Sequence, residues 1–236
     1  VGLHLTERFA AAGCRVVATD INHSALSRIA KQKGWAPDQV WVRKLDVSKK
    51  AQWDKLWVEL CERWECCDVI CNVAGYLKPG MVAETDLEQI DRHIDINVKG
   101  VMYGSKLAAE HMTKRQSGHI INIASLAGIA PVPGIGLYSA SKFAVRGFSL
   151  ALAQELRQYH VDVTVVCPDA IETPMLFLQE DYDEAALTFS GGKTLTVEDI
   201  GDAVFKQVLP NCPIEITLPN HRGWLAKLGN SVPNLS

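Results

Sequence analysis

The sequence lacks an apolar run of the roughly 18 residues that a membrane-spanning helix needs, and it lacks an excess of one charge. Its 24 basic and 27 acidic residues are interspersed and give a net charge of −3. Because no basic stripe is available to neutralise phosphates, nucleic acid is not expected as a partner. Glu7 and Arg8 interrupt the first apolar stretch, which is not the pattern of a signal peptide.

Paired cysteine spacings are also missing. The number of cysteines is odd, and neither paired CxxC motifs nor nearby histidines offer a zinc site. We therefore expect reduced, structural thiols, no metal ion, and a cytoplasmic compartment. The seven are Cys14, Cys61, Cys66, Cys67, Cys71, Cys167 and Cys212.

What the sequence does contain is a globular composition, with 47% hydrophobic residues among 236. Apolar runs alternate with helical periodicity, which predicts βαβ units and a parallel sheet. We predict a doubly wound, Rossmann-type α/β fold in one domain over 1–236, with a cofactor and catalytic core at 1–190, a substrate loop at 169–195 and a tail at 219–236. The predicted strands lie at 15–20, 39–45, 68–73, 118–124, 161–167 and 214–218. The predicted helices lie at 23–33, at 86–113 with a break at Gly100 and Gly104, at 139–159 and at 197–209. A further helix is predicted to begin after Ser48, which would cap it.

The sequence begins at Val1 and enters helical periodicity at once, without a preceding strand or cap. We expect further residues upstream. In a sheet of order 3-2-1-4-5-6 the first strand is interior, so its loss would leave Val16–Thr19 and Val69–Val73 without their shared neighbour. Residues 1–236 alone are then expected to aggregate and not to bind NADH.

Asp20 ends the first visible strand, 18 residues after Gly2. An acidic residue about 20 residues beyond a glycine loop accepts a hydrogen bond from the adenosine ribose in dinucleotide-binding folds. Its charge would repel a 2′-phosphate, which predicts NAD rather than NADP. The alternative is a strand-end aspartate that caps the next helix, and Gly2 by itself is no motif.

Tyr138 and Lys142 are spaced by four residues at the start of a predicted helix, which places both side chains on one face. A neighbouring ammonium favours a phenolate and so brings proton transfer by a tyrosine within range. Ser125 closes the preceding strand, at the sheet edge where ligands bind, and its hydroxyl could donate to a substrate oxygen.

Three further segments fit the same edge. Asn72, Ala74 and Gly75 leave a strand through a turn of small residues that allows close approach by a ligand. Asn97 lies in a helix that must bend near it. Pro168, Ile171 and Thr173 follow the strand that ends at Cys167.

Together these motifs resemble the short-chain dehydrogenase/reductase family, in its order and spacing, from Gly2 to about residue 218. The resemblance implies that Tyr138 is the catalytic acid/base, that Lys142 lowers its pKa and holds the nicotinamide ribose, and that Ser125 orients the substrate. It implies further that Asn97 holds a water in the proton relay. For the cofactor it implies that Asp20 binds the adenosine ribose, Asp46 and Val47 the adenine, and Pro168, Ile171 and Thr173 the carboxamide, while Asn72, Ala74 and Gly75 line the cleft.

Two departures from the family's pattern stand out. Val1-Gly2 matches only the end of the family's glycine-rich loop. Asp169 stands where the family usually has glycine, next to the predicted nicotinamide loop, so its side chain could alter access of the substrate or the backbone conformation.

The segments Ala127–Leu137 and Met175–Gly192 are predicted to flank the substrate and are rich in apolar residues, which suggests an apolar secondary alcohol or ketone. The tail could cover the cleft, contact a neighbouring subunit or rest on a membrane, and its amphipathic pattern is too weak to predict membrane binding. The helices around 98–114 and 139–159 are rich in small and apolar residues, and the resemblance implies that they pair across a twofold axis. We therefore expect a homodimer or homotetramer. The alternative function is a non-catalytic, dinucleotide-binding regulatory protein.

Overall fold

The computed structural model describes residues 1–179, Tyr182 and 194–231, and within them helices alternate with strands. All strand pairs are parallel. The strands are β1 Val16–Asp20, β2 Val40–Lys44, β3 Val69–Asn72, β4 Gly118–Ile123, β5 Val161–Pro168 and β6 Glu215–Leu218. The helices are α1 Gly2–Ala11, α2 His23–Gln32, α3 Lys50–Trp64, α4 Leu87–His93, α5 Gly100–Arg115, α6 Gly136–Leu156, α7 Pro174–Phe177, α8 Val197–Ala203, α9 Leu209–Asn211 and α10 Asn220–Ser231.

The strands form two separate sheets. One contains β1 and β2, and the other has the order β3-β4-β5-β6. Within the described residues β1 pairs only with β2, and β3 pairs only with β4. As expected, these two strands have no common neighbour among the residues that the structure describes.

Helices cover both faces of the four-stranded sheet, which is why β4 and β5 are apolar along nearly their whole length. On one face Ile120 of β4 packs with Met112 of α5 and Leu152 of α6. On the opposite face the next residue of β4, Ile121, packs with Leu5 of α1 and with Val204, which follows α8. The fold is a Rossmann-type α/β fold, as predicted.

The predicted break at Gly100 and Gly104 is wrong, because the helix continues through both. The irregularity lies earlier, where Ile94–Lys99 form a π-helical turn between α4 and α5. The glycines serve close packing instead. A Cβ on Gly100 would lie 2.8 Å from a methyl carbon of Val47, and one on Gly104 would lie 2.4 Å from Oδ1 of Asn72.

Ser48 does not cap α3, which begins at Lys50 after a residue without a capping side-chain bond. The Ser48 hydroxyl instead donates to Oδ1 of Asp46 at 2.7 Å. The neighbouring helix α2 is capped by Asn22, whose Oδ1 accepts the amide of Ala25 at 3.1 Å. Among the helices of the described residues, none is both long and apolar enough to cross a membrane.

Candidate active site

A cavity of about 830 Å³ opens at the carboxyl ends of β3, β4 and β5. Parallel sheets bind ligands at this edge, because the loops after neighbouring strands diverge there. The predicted residues that line it are Gly75, Ser125, Tyr138, Lys142, Pro168, Ile171 and Thr173. Residues from four segments of the chain therefore meet around one space.

Tyr138 lies in the first turn of α6, and it lines the cavity together with Ser125. The start of α6 is fixed by Ser139, whose Oγ accepts the amide of Val132 at 3.2 Å. Burial raises the pKa of Tyr138 to about 12, and the hydrogen bond from Ser125 opposes this rise. The phenol is therefore protonated at neutral pH.

Lys142 is buried one turn further along α6, with 3% of its surface exposed. Its ammonium donates to the carbonyl oxygen of Ile123 at 2.9 Å and lies 5.5 Å from the centroid of the Tyr138 ring. Burial lowers the pKa of Lys142 to about 8. The close approach of α6 depends on Gly128, where a Cβ would lie 2.6 Å from the Lys142 carbonyl oxygen.

The effect of Lys142 on Tyr138 differs from the expectation in one respect. The predicted lowering of the pKa of Tyr138 by the ammonium is not seen, because burial dominates and the group that opposes it is the Ser125 hydroxyl. The ammonium of Lys142 is directed to a backbone carbonyl of β4 instead. Its position still brings one positive charge to the site.

Asn97 is fully buried in the π-helical turn, and its amide is occupied by three hydrogen bonds. Oδ1 accepts the amide of Tyr76 at 2.6 Å, and Nδ2 donates to the Tyr76 carbonyl at 2.8 Å and to Ser141 Oγ at 2.9 Å. The side chain thus ties the segment after Gly75 to α6. Its predicted role in holding a water stays a prediction.

The loop after β5 forms the wall opposite the tyrosine. The amide of Asp169 donates to the Leu218 carbonyl at 2.8 Å, and Ile171 bridges to Leu195 in parallel orientation. The hydroxyl of Thr173 donates to the Ile171 carbonyl at 3.2 Å. These contacts hold the predicted carboxamide-binding residues against the cavity.

The predicted adenosine residues lie away from this cavity. Asp20 is exposed at the end of β1, where its Oδ1 accepts the amide of Asn22 at 2.7 Å. The capping alternative for Asp20 is wrong, because Asn22 caps α2 itself. Asp46 and Val47 lie in the connection between β2 and α3, where the Val47 carbonyl accepts the Trp53 indole N–H at 2.9 Å. None of Asp20, Asp46 and Val47 lines the cavity.

Asn72 is turned away from the cavity and belongs to a buried polar network instead. Its amide donates to Ser105 Oγ at 3.1 Å and to Asn122 Oδ1 at 2.8 Å. Ala74 is exposed and Gly2 begins α1, and neither lines the cavity. The side chain of Asn72 therefore supports the sheet and α5 rather than the cleft.

A nicotinamide dinucleotide fits the residues that are present. A Cβ on Gly75 would lie 3.8 Å from both Lys142 Nζ and Met175 Cε, so glycine keeps the space before the ammonium open. The N-terminus of α1 faces the same space through Val1 and has no capping side chain, which suits a phosphate group. Lys142 would hold the ribose, and Pro168 and Thr173 the carboxamide.

The sequence left three roles open for the tail: covering the cleft, contacting a neighbouring subunit or resting on a membrane. In the structure α10 lines the cavity, which fits the first of these roles. Its lining residues are His221, Arg222, Leu225 and Ala226. Of the predicted substrate segments, Ala127, Ala130, Val132 and Ile135 line it on one side and Met175, Leu176 and Gln179 on the other. Residues 180, 181 and 183–192 of the second segment lie outside the described residues.

The fold and the group of polar side chains at its carboxyl edge define an α/β oxidoreductase. Residues 1–183 match the family model described as short chain dehydrogenase. The chain belongs to this family.

Individual relatives agree with that assignment. The NADP-dependent 3-hydroxy acid dehydrogenase YdfG of Salmonella typhi is 33% identical over 207 residues, which cover 85% of this chain and 82% of that protein. A solved serine dehydrogenase from Escherichia coli has a TM-score of 0.74 at 29% identity, over 90% of this chain and 89% of that one. A short-chain dehydrogenase/reductase from Burkholderia phymatum in complex with NAD has a TM-score of 0.87 at 24% identity, over 99% and 90%, and shows the same fold.

Proposed function

We propose that this protein transfers hydride between a nicotinamide dinucleotide and a secondary alcohol or ketone, with Tyr138 as proton donor and acceptor. The observation that carries the proposal is the grouping of Ser125, Tyr138 and Lys142 around one cavity, with the Lys142 ammonium 5.5 Å from the centroid of the Tyr138 ring. This grouping is what carbonyl reduction requires: a hydroxyl to orient the oxygen, a phenol to protonate it and a cation nearby.

In the direction of reduction, the Ser125 hydroxyl donates a hydrogen bond to the substrate carbonyl oxygen and orients it towards Tyr138. The bound dinucleotide supplies the hydride that reduces the carbonyl carbon. Tyr138 then donates its phenolic proton to the oxygen, which completes the alcohol and leaves a phenolate. Alcohol oxidation follows the same steps in reverse.

Two observations support different dinucleotides. The exposed carboxylate of Asp20 at the end of β1 supports NAD, since it would repel a 2′-phosphate. The relative YdfG is named as NADP-dependent, which supports NADP. We retain NAD as the proposal because the carboxylate belongs to this chain, and its Oδ1 is held in place by the Asn22 amide.

The substrate class follows from the wall of the cavity. Most of the side chains that line it are apolar, among them Leu77, Val132, Ile135, Met175 and Leu225. An apolar ketone or alcohol would therefore be desolvated favourably on binding. Small-molecule substrates rather than nucleic acid are the proposed partners, and a cytoplasmic location is proposed from the thiols.

A symmetric homodimer or homotetramer is also proposed, from the small exposed residues along α6. Ala140, Gly147 and Ala151 leave that helix flat, and nothing lies within 4 Å of a Cβ built on Gly147. Light scattering at micromolar concentration is expected to show an assembly. Gly147→Arg is expected to reduce it to monomers, and a monomeric wild type would contradict the proposal.

The reaction is tested with a panel of apolar ketones and secondary alcohols and with both dinucleotides. In the full-length protein, Tyr138→Phe keeps the ring but removes the transferable proton, so turnover is expected to fall at least about 100-fold. Dinucleotide affinity, measured by fluorescence titration, is expected to change little. Dinucleotide binding without turnover of any panel member by the wild type would instead support a non-catalytic regulatory protein.

A further inference from the structure

Glu215, the first residue of β6, accepts hydrogen bonds from two basic side chains that belong to different helices. Its Oε1 accepts the Nε–H group of Arg146 in α6, and its Oε2 accepts the ammonium of Lys227 in α10. The carboxylate side chain is 12% exposed, whereas the side chain of Lys227 is 46% exposed. One carboxylate therefore joins a strand to two helices.

The contact with Arg146 connects Glu215 to the helix of the proposed proton donor. Tyr138, Lys142 and Arg146 are spaced by four residues, so they lie along one side of α6. Tyr138 and Lys142 line the cavity, and Arg146 lies one turn beyond them. Glu215 is thus held from the side of α6 that carries the reactive groups, and its position is fixed relative to them.

The contact with Lys227 connects Glu215 to a wall of the cavity. Leu225 and Ala226, which precede Lys227 in α10, both line the cavity. The methyl group of Ala226 packs against the apolar cluster that contains Leu126. Because Leu126 directly follows Ser125, this wall lies close to the residue that would orient the substrate.

Apolar burial contributes little to the attachment of α10. Its large apolar side chains Trp224, Leu225 and Leu228 are 70%, 65% and 54% exposed. The beginning of the helix is anchored at Gly223, where a Cβ would lie 2.0 Å from a side-chain oxygen of β6. The half of the helix after Gly223, which carries the wall, is joined to the sheet by the ion pair of Lys227.

We propose that Glu215 and Lys227 are positioning residues for the substrate: their ion pair holds the second half of α10 against the cavity as a wall that binds long apolar chains. This inference rests on the proposed alcohol and ketone activity, because it concerns which of these substrates bind well. A short ketone that reaches only Ser125 and Tyr138 does not need the wall. A long chain lies along it and is removed from water by it.

The variant Lys227→Met tests the ion pair, because it keeps the apolar stem of the side chain and removes the ammonium. Glu215 retains Arg146 as its partner, so no carboxylate is left alone in a largely buried position. The substrates are butanone and 2-decanone, assayed with the full-length protein at saturating dinucleotide. The ratio of kcat/KM for 2-decanone to that for butanone is expected to fall about fivefold, or about 1 kcal/mol, as for a partly exposed ion pair. The loss is expected in KM, with kcat unchanged, because the chemical step stays with Tyr138 and Ser125.

Three further variants accompany this measurement. Lys227→Arg keeps the ion pair and is expected to keep the ratio, whereas Glu215→Gln weakens both contacts and is expected to lower it at least as much as Lys227→Met. Lys206→Met is the matched control, because Lys206 is an exposed lysine paired with Asp202 that does not line the cavity. Amide hydrogen exchange in 224–231, measured without substrate, is expected to be faster in Lys227→Met but not in Lys227→Arg or Lys206→Met.

The outcomes separate this inference from the proposed activity. An unchanged ratio in Lys227→Met would overturn the inference even if exchange in α10 became faster, because the ion pair would then anchor the helix without affecting binding. An equal loss for both ketones would also overturn it, since that result indicates a general loss of stability. A wild type that turns over butanone but not 2-decanone would overturn it and leave the proposed activity intact, whereas a wild type inactive on every alcohol and ketone would remove both.

Discussion

The two sheets of this molecule differ sharply in burial. In the four-stranded sheet, Ile120 and Ile121 of β4 and Val165 and Val166 of β5 are completely buried. In the two-stranded sheet, most of β1 is partly or fully exposed, and the strand ends in the exposed Asp20. Ser125 follows a strand of the four-stranded sheet, and Tyr138 and Lys142 lie on α6, which packs against that sheet. The predicted adenosine-binding carboxylates belong to the two-stranded sheet.

The difference in burial between the two sheets corresponds to two different requirements, proton transfer and the choice of dinucleotide. Proton transfer needs atoms placed to within fractions of an ångström, and the buried contacts of Asn97 and Lys142 supply that placement. Choice between dinucleotides needs only the sign of a charge near a ribose, which the exposed Asp20 supplies through a local turn. Changes in the four-stranded sheet are therefore expected to affect chemistry and stability, and changes in the two-stranded sheet mainly cofactor preference.

The largest effect is expected at Lys142, a charge buried in the four-stranded sheet. Burial lowers its pKa from 10.5 to about 8, so between these values the unfolded state binds more protons and the stability of the wild type rises with pH. Lys142→Met removes this dependence. We expect the variant to be more stable than the wild type below pH 8, and the difference to shrink by on the order of 2–3 kcal/mol between pH 8 and 10.5.

Urea unfolding without nucleotide across this pH range measures the effect. The control is Lys44→Met, which removes an exposed ammonium from β2 and is expected to keep the wild-type pH profile. The Lys142 variant is expected to lose turnover at every pH. A stability difference between the Lys142 variant and the wild type that stays constant from pH 8 to 10.5 would contradict this prediction, because it would show that folding does not lower the pKa of Lys142.

A smaller effect is expected from one matched substitution in each sheet. Val165→Ala removes two methyl groups from a completely buried position in β5, which costs about 2 kcal/mol through lost burial and an unfilled cavity. Val17→Ala makes the same change in half-buried β1 and is expected to cost about 1 kcal/mol or less. Chemical unfolding measures both, and equal losses would contradict the contrast between the sheets.

The sequence predicted the parts of this contrast that depend on local patterns. The apolar runs located the strands, and the spacing of Tyr138 and Lys142 placed both on one side of α6. The pairing of Asp169 with Arg222 escaped it, because these residues are distant in the chain and meet only when α10 packs on β6. The sequence predicts a bend near Asn97, where the π-helical turn lies, but it misplaced the break at Gly100 and Gly104, because glycines that serve close packing resemble the break in a helix.

The smallest effect is expected at Asp20, at the exposed end of the two-stranded sheet. Asp20→Ala removes the carboxylate that would repel a 2′-phosphate, so the ratio of kcat/KM with NADP to that with NAD is expected to rise about tenfold, or about 1.4 kcal/mol. Stability is expected to change little, because the side chain's hydrogen bond is to an exposed turn amide.

Asp38→Ala is the matched control, because Asp38 is also exposed but precedes β2, at the opposite end of that sheet. It is expected to leave the NADP to NAD ratio unchanged. The relative YdfG is named as NADP-dependent. If the wild type of this protein also prefers NADP, then Asp20 does not govern the ribose pocket. The preference for NADP would in that case have to come from positively charged groups near the end of β1, which also belong to the two-stranded sheet.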